Sequence, residues 1–158
     1  MNIGDIFLWG FAATLILTII LSASKPLGLT RMDLPFILGT LFTANRNRAP
    51  LYGFLTHLSI GWLFAFIYAL AFKSANIYTW WFGVAIGFVH GAFVLSTGLQ
   101  LIAVFHPRMA LPYRGPTPTK QLEPPGFFAL NYGRGTPIVT LFAHLVYGGV
   151  LGMFLSLK

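Results

Sequence analysis

Two stretches decide how this chain is read: Pro50-Leu51-Tyr52-Gly53-Phe54-Leu55-Thr56-His57-Leu58-Ser59-Ile60-Gly61 and Pro137-Ile138-Val139-Thr140-Leu141-Phe142-Ala143-His144-Leu145-Val146-Tyr147-Gly148. Each opens on a proline and places His-Leu and then glycine at the same spacings, with no charged residue between. Upstream, Arg31-Met32 with Leu34-Pro35 is echoed by Arg108-Met109 with Leu111-Pro112, and Asn45 by Asn131. The pattern predicts a duplicated membrane unit, one copy over about residues 6–72 and the other over about 79–157, within a single domain spanning 1–158.

Composition agrees. Only 8% of the residues are charged, whereas 56% are hydrophobic and 16% aromatic, too little charge to cover a soluble domain. Four runs lack Asp, Glu, Lys and Arg altogether: Ile6 to Ser24, Ala49 to Phe72, Ser74 to Pro107 and Gly135 to Leu157. Each is long enough to cross roughly 30 Å of hydrocarbon as a helix. The first run is longer than a signal-peptide core and is preceded by Asp5 rather than a basic residue, so it is read as a retained helix.

Eight of the ten Lys and Arg residues fall in two loops, at positions 25, 31, 46 and 48, then 108, 114, 120 and 134; only Lys73 and Lys158 lie opposite. The positive-inside rule makes those loops cytoplasmic and both termini external. Trp9, Tyr78, Trp80 and Trp81 then gather at the outer interface. The net charge of +7 is thus assigned to topology rather than to nucleic acid, and the partners expected are the bilayer, its anionic lipids, and other membrane subunits or a second copy. Without cysteine there is no disulfide and no thiolate chemistry.

The expected fold is all-α: four transmembrane helices as two parallel, pseudo-symmetric pairs about an axis along the membrane normal. The short turn at 73–76 predicts that the second and third helices are antiparallel neighbours. Two apolar stretches too short to span, Pro35 to Phe42 and Pro125 to Leu130, are read as interfacial or re-entrant segments on the cytoplasmic side. Between Pro112 and Pro125 lies a proline-rich insert, read as irregular and as a possible docking surface. Gly83, Gly87 and Gly91, the pair Gly148 and Gly152, and Gly53 and Gly61 around His57 predict close helix contacts.

Chemistry is most concentrated at three intramembrane histidines, His57, His144 and His90. At about 1.5 Å per residue the first and second lie roughly 10 Å inside the cytoplasmic ends of their helices. Ionisable groups at that depth face the protein interior and mark function. One reading makes them ligands of a haem b or a transition metal; the other has each neutral ring hydrogen-bond a carbonyl or a hydroxyl such as Thr56, Ser59, Thr140 or Tyr147. Gln100 and carbonyls would have to supply any outer shell of a metal site. His106 is assigned only a helix-end role.

The three carboxylates, Asp5, Asp33 and Glu123, lie outside the spans. That argues against a proton-coupled transporter and against a paired-carboxylate hydrolase within the bundle. No nucleophile elbow, phosphate loop or dinucleotide fingerprint is present. Arg31, Arg46, Arg48, Arg108 and Arg134 are candidate contacts for anionic headgroups or another phosphate-bearing ligand.

From Leu29 to Gly152 the chain resembles an uncharacterised family of small bacterial integral membrane proteins. The resemblance rests on Gly28-Leu29-Thr30-Arg31-Met32-Asp33-Leu34-Pro35, Gly53 to His57, and His106-Pro107-Arg108-Met109. It continues in Pro125-Gly126-Phe127-Phe128-Ala129-Leu130-Asn131-Tyr132-Gly133 and His144-Leu145-Val146-Tyr147-Gly148. It implies a bacterial inner-membrane protein and brings no catalytic residues. The expected function is therefore non-catalytic, an accessory, scaffold or lipid-associated component, with a haem- or metal-binding redox protein or a small carrier as alternatives.

Overall fold

The computed structural model describes residues 2–111 and 115–155; Pro112, Arg114 and Lys158 of the repeat and charge readings lie outside them. The described chain is helical, without a strand: α1 (Ile3–Ser24), α2 (Leu34–Gly39), α3 (Ala49–Ala75), α4 (Trp80–Phe93), a π-helical turn (Val94–Gly98), α5 (Leu99–Phe105), a 3-10 segment (Phe127–Tyr132) and α6 (Thr136–Phe154). Four helices are long and apolar enough to cross a membrane: α1, α3, the continuous Trp80–Phe105 rod and α6. The all-α fold class with four span-length helices is thus present.

Local chemistry sets the helix ends. Asn2 accepts the Asp5 amide at 2.8 Å in a capping box, Asp33 caps α2 through the Phe36 amide at 3.1 Å, and Thr79 caps α4. At the far end of α3, Asn76 takes a left-handed conformation (φ 54°) that stops the helix.

Glycine decides the packing. A methyl group on Gly83 would overlap the carbonyl of Gly148, one on Gly87 the carbonyl of His144, and one on Gly148 the carbonyl of Gly83. The backbones of α4 and α6 therefore touch, as the glycine ladders predict. Gly61 meets Thr14 and Gly10 meets Ala65, which seats α1 on α3; Gly53 faces Pro35 and Gly39, which lays α2 on α3. Trp9 stacks on Phe154 at 3.9 Å between α1 and α6.

The second and third spans, expected as neighbours, meet through side chains without close backbone packing. α1 runs along both α3 and α6, and α4 along α6, but α3 and α4 make no comparable backbone contact. They meet instead through rings: Phe64 on His90, Tyr68 edge-on to His90, and Phe72 against Phe82. A twofold relating the halves would make the α1/α6 and α3/α4 contacts equivalent, and they are not. The glycines are the reason. All three on α4 are spent against α6, so no glycine remains to bring α4 onto α3.

Along the third span the buried positions are Gly83, Gly87, Gly91, Leu95, Leu99 and Ala103. Four-residue steps drift about 40° each on a regular helix of 3.6 residues per turn. The wider π turn at Val94–Gly98 winds the opposite way and holds that row on one face.

The loops cross-link the halves at one end of the bundle. The Arg31 amide donates to the Tyr132 carbonyl at 2.7 Å, and the Thr30 and Thr136 hydroxyls lie 2.6 Å apart. The stretch Pro35 to Phe42 becomes α2 and a following turn, with Phe42 exposed. The stretch Pro125 to Leu130 enters the 3-10 segment, where Phe128 (φ 51°) and Ala129 (φ 57°) are left-handed, a strained choice for residues with side chains. It is held by Tyr132 Oη donating to the Glu123 carbonyl at 2.7 Å and Asn131 Nδ2 to the Pro124 carbonyl at 3.0 Å. The described part of the insert is irregular, tied down by the pairs Met109–Leu122 and Leu111–Gly115.

Gly83→Ala is expected to cost about 1–3 kcal/mol by overpacking against a carbonyl. Gly98→Ala, whose added carbon meets nothing closer than 3.9 Å, should change stability by less than about 1 kcal/mol. Unfolding of the purified variants in mixed micelles measures both.

Candidate functional site

Two concavities hold five of the eight sequence-predicted residues. The first is a cavity of about 140 Å³ inside the bundle, bordered by α1, α2, α3, the third span and α6. His57, His90 and His144 all line it, so tertiary packing does gather the three imidazoles. His90 and His144 meet edge to face with centroids 4.6 Å apart, and His90 stacks on Phe64 at 3.7 Å.

Hydrogen bonds assign two of the tautomers. Thr18 Oγ1 donates to the Thr14 carbonyl at 2.7 Å, which uses its only proton; at 2.9 Å from His57 Nδ1 it must accept, so His57 carries its proton on Nδ1. His144 Nδ1 lies 2.7 Å from the Thr140 carbonyl, an obligatory acceptor, so this ring too is protonated on Nδ1. His90 Nδ1 faces the Tyr68 hydroxyl at 3.3 Å. Tyr147 donates its hydroxyl to the Gly61 carbonyl at 2.6 Å.

The expected partners were partly different. Thr56, half-buried, and Ser59, exposed, bond carbonyls of their own helix. Thr140 serves through its carbonyl, while its hydroxyl is buried without a partner among the described residues. Thr18 and Tyr68 were not anticipated. Thr14 and Thr18 do sit on a readable stripe, Gly10, Ala13, Thr14, Leu17, Thr18 and Leu21, all buried on α1.

The metal and haem readings of His57, His144 and His90 gain no geometric support. Among the described residues no group of three or more histidine or acidic side chains is placed to hold a metal ion. A cavity of about 140 Å³ is smaller than the roughly 300 Å³ at which ordinary ligand pockets begin, so a porphyrin does not fit. Gln100 does not serve these rings; it donates to the Gly126 carbonyl and anchors the 3-10 segment.

The second concavity is an open groove of about 460 Å³ at the loop end, lined by Phe36, Thr40, Arg46, Arg108, Thr119 and Gln121 among others. Arg46 lies 5.2 Å over the Phe36 ring, and Arg108 donates to the Thr40 carbonyl. Among the described residues no carboxylate lines the groove. Asp33 pairs with Lys25 at 2.6 Å and Glu123 with Arg31 at 3.1 Å. Arg31 also donates to the Asn131 carbonyl, which makes it a loop clamp. Arg48 precedes α3, and Arg134 is exposed outside the groove. Of the five arginines singled out, the fold brings Arg46 and Arg108 together.

His106 is more than a helix-end residue. It is almost wholly buried, accepts the Arg108 amide on Nδ1 at 3.0 Å and donates Nε2–H to the Ile37 carbonyl at 3.0 Å, pinning the end of α5 to α2. Burial holds it neutral below the usual imidazole range. The nearby charges of Arg108 and Lys120 act in the same direction, against the hydrogen bond to Ile37.

Comparison of the chain with protein-family models, curated proteins and solved structures gives no match.

Two outcomes follow from this geometry. Thr18→Val should cost about 0.6–2 kcal/mol, the range for interhelical hydrogen bonds in membranes, with Ser59→Ala close to neutral, as read by unfolding in micelles. Because the folded-state pKa of His106 is depressed, its contribution is full above the unfolded value near 6.5 and drains as pH falls below it. The melting temperature of wild type should therefore drop more steeply from pH 7.5 to 5 than that of His106→Gln.

Proposed function

We propose that this chain is a non-catalytic, multi-pass membrane protein, a lipid-associated scaffold or accessory component whose loop face holds anionic headgroups. The observation that carries the reading is the convergence of Arg46 and Arg108 on a groove with Thr40, Thr119 and Gln121 and, among the described residues, without a carboxylate. Two guanidiniums beside hydroxyl and amide groups suit a phosphodiester, and a partly apolar groove wall suits the glycerol and first methylenes behind it.

The distribution of Lys and Arg supports a cytoplasmic loop face with both termini outside. There it meets the anionic leaflet, in a bacterial inner membrane if the family resemblance is followed. The interior cavity is compact and mostly apolar in its lining, which favours this reading over a carrier for polar solutes.

Native mass spectrometry of the detergent-solubilised protein, titrated with phosphatidylglycerol or phosphatidylcholine, tests it. Phosphatidylglycerol should be retained preferentially, and Arg46→Gln should weaken it about five-fold, from roughly 1 kcal/mol per basic residue. Arg134→Gln, outside the groove, should leave it unchanged. Equal retention of both lipids, or equal effects of the two substitutions, would sink the reading.

A further inference from the structure

The histidine-lined cavity has a chemistry that the headgroup groove does not use. With Nδ1–H donated to Thr18 in His57 and to the Thr140 carbonyl in His144, each ring keeps its lone pair on Nε2. Neither Nε2 has a hydrogen-bond partner among the described residues. The Thr140 hydroxyl, buried on the same lining, likewise has none. The buried hydroxyl costs free energy in an apolar interior unless something fills the space and bonds it, and the same occupant would meet the two ring nitrogens. The unmet set is two acceptors and one hydroxyl.

Size and shape narrow the occupant. An apolar cavity of about 150 Å³ is enough for a benzene ring, and this one measures about 140 Å³. The remaining wall is apolar and aromatic, including Leu17, Leu38, Phe64 and Phe93. The lining also reaches the outer surface of the bundle. Ile60 of α3 and Phe93 of the third span both border the cavity and are more than a third exposed. They lie where α3 and the third span lack close backbone packing, so the mouth faces the lipid side. The π turn contributes Val94 and Gly98 to the same wall, a distortion of the kind that recurs at functional sites.

We propose that this cavity binds a single-ring phenol or hydroquinone headgroup, its O–H donated to the Nε2 of His57 or His144. Phenolic hydroxyls supply the proton that both imidazoles lack, an ether or carbonyl oxygen would only repel them, and the ring fills the apolar remainder. A headgroup of this kind enters sideways from the bilayer, its tail left in lipid between Ile60 and Phe93. The proposal concerns binding alone and stands independently of the headgroup groove.

The test uses full-length protein in micelles and fluorine NMR, with 4-fluorophenol and fluorobenzene as probes and empty micelles as the partition reference. Saturable one-site binding of 4-fluorophenol, at least ten-fold tighter than fluorobenzene, is the expected result. Thr140→Val, nearly isosteric, should weaken it several-fold, and His57→Leu, which removes one of the two acceptors, should narrow the difference between the probes with the helical circular dichroism unchanged. Should His57→Leu fail to fold, Thr140→Val and the phenol-to-benzene ratio decide alone. Displacement by a decyl-substituted hydroquinone assigns the site to a membrane-dissolved molecule; displacement by 4-methylphenol only assigns it to a free phenol. Equal affinity for the two probes, or no saturable binding of either, overturns the proposal.

Discussion

The contact between α4 and α6 is the constraint on which the remaining architecture depends. Lipid offers no hydrophobic drive for helices to associate, so van der Waals contact and hydrogen bonding must do it. Here glycine removes the side chains: Gly83 and Gly87 lie on the carbonyls of Gly148 and His144. That docking spends all three glycines of α4 on one face. The opposite partner, α3, is then met at ring distance by Phe64, Tyr68 and Phe72. The cavity is the space left by that asymmetry, and His144 enters it because its own backbone is held against Gly87.

With the Thr140 hydroxyl as an exception, polar groups within the spans follow a second rule, that what is buried among apolar atoms finds a partner inside the protein. Thr14, Thr18 and Thr40 turn their hydroxyls back onto carbonyls of their own helices. Thr18 then has a lone pair to offer His57, and Tyr147 closes onto Gly61. At the loop end the same rule acts through cross-links. Arg31 of the first loop holds the Asn131 carbonyl, and Arg108 of the second holds the Thr40 carbonyl. His106 bridges the same two loops through both ring nitrogens. Arginines that read as topological charge are therefore also structural ties, and among the described arginines Arg46 and Arg108 share a groove.

Much of this was legible in the chain. Runs without charge translate directly into helix length, so the four span-length helices needed no tertiary information. The glycine spacing announced the α4/α6 contact, because four-residue steps on a helix return to one face. The three histidines that rise per residue places at similar levels line one cavity. Their partners were not legible: Thr56 and Ser59 are as close in sequence to His57 as any hydroxyl, yet each bonds a carbonyl of its own helix, and the acceptor comes from Thr18 on another helix. The π turn was also invisible, because Val94-Leu95-Ser96-Thr97-Gly98 carries no breaker that distinguishes it from an ordinary turn of helix.

The repeat shows where the division falls. Sequence by itself determined which segments are helices, where glycine permits close approach and which ionisable groups are carried into the apolar layer, for these depend on local composition and helical geometry. Only the tertiary structure decided that α1 packs on α6 while α3 stands off from α4, that His57 and His144 bond through different kinds of partner, and that Arg46 rather than Arg31 faces the groove. Similar motifs need not make similar contacts. Each close contact uses up a helix face, and the glycines of α4 had only one face to give.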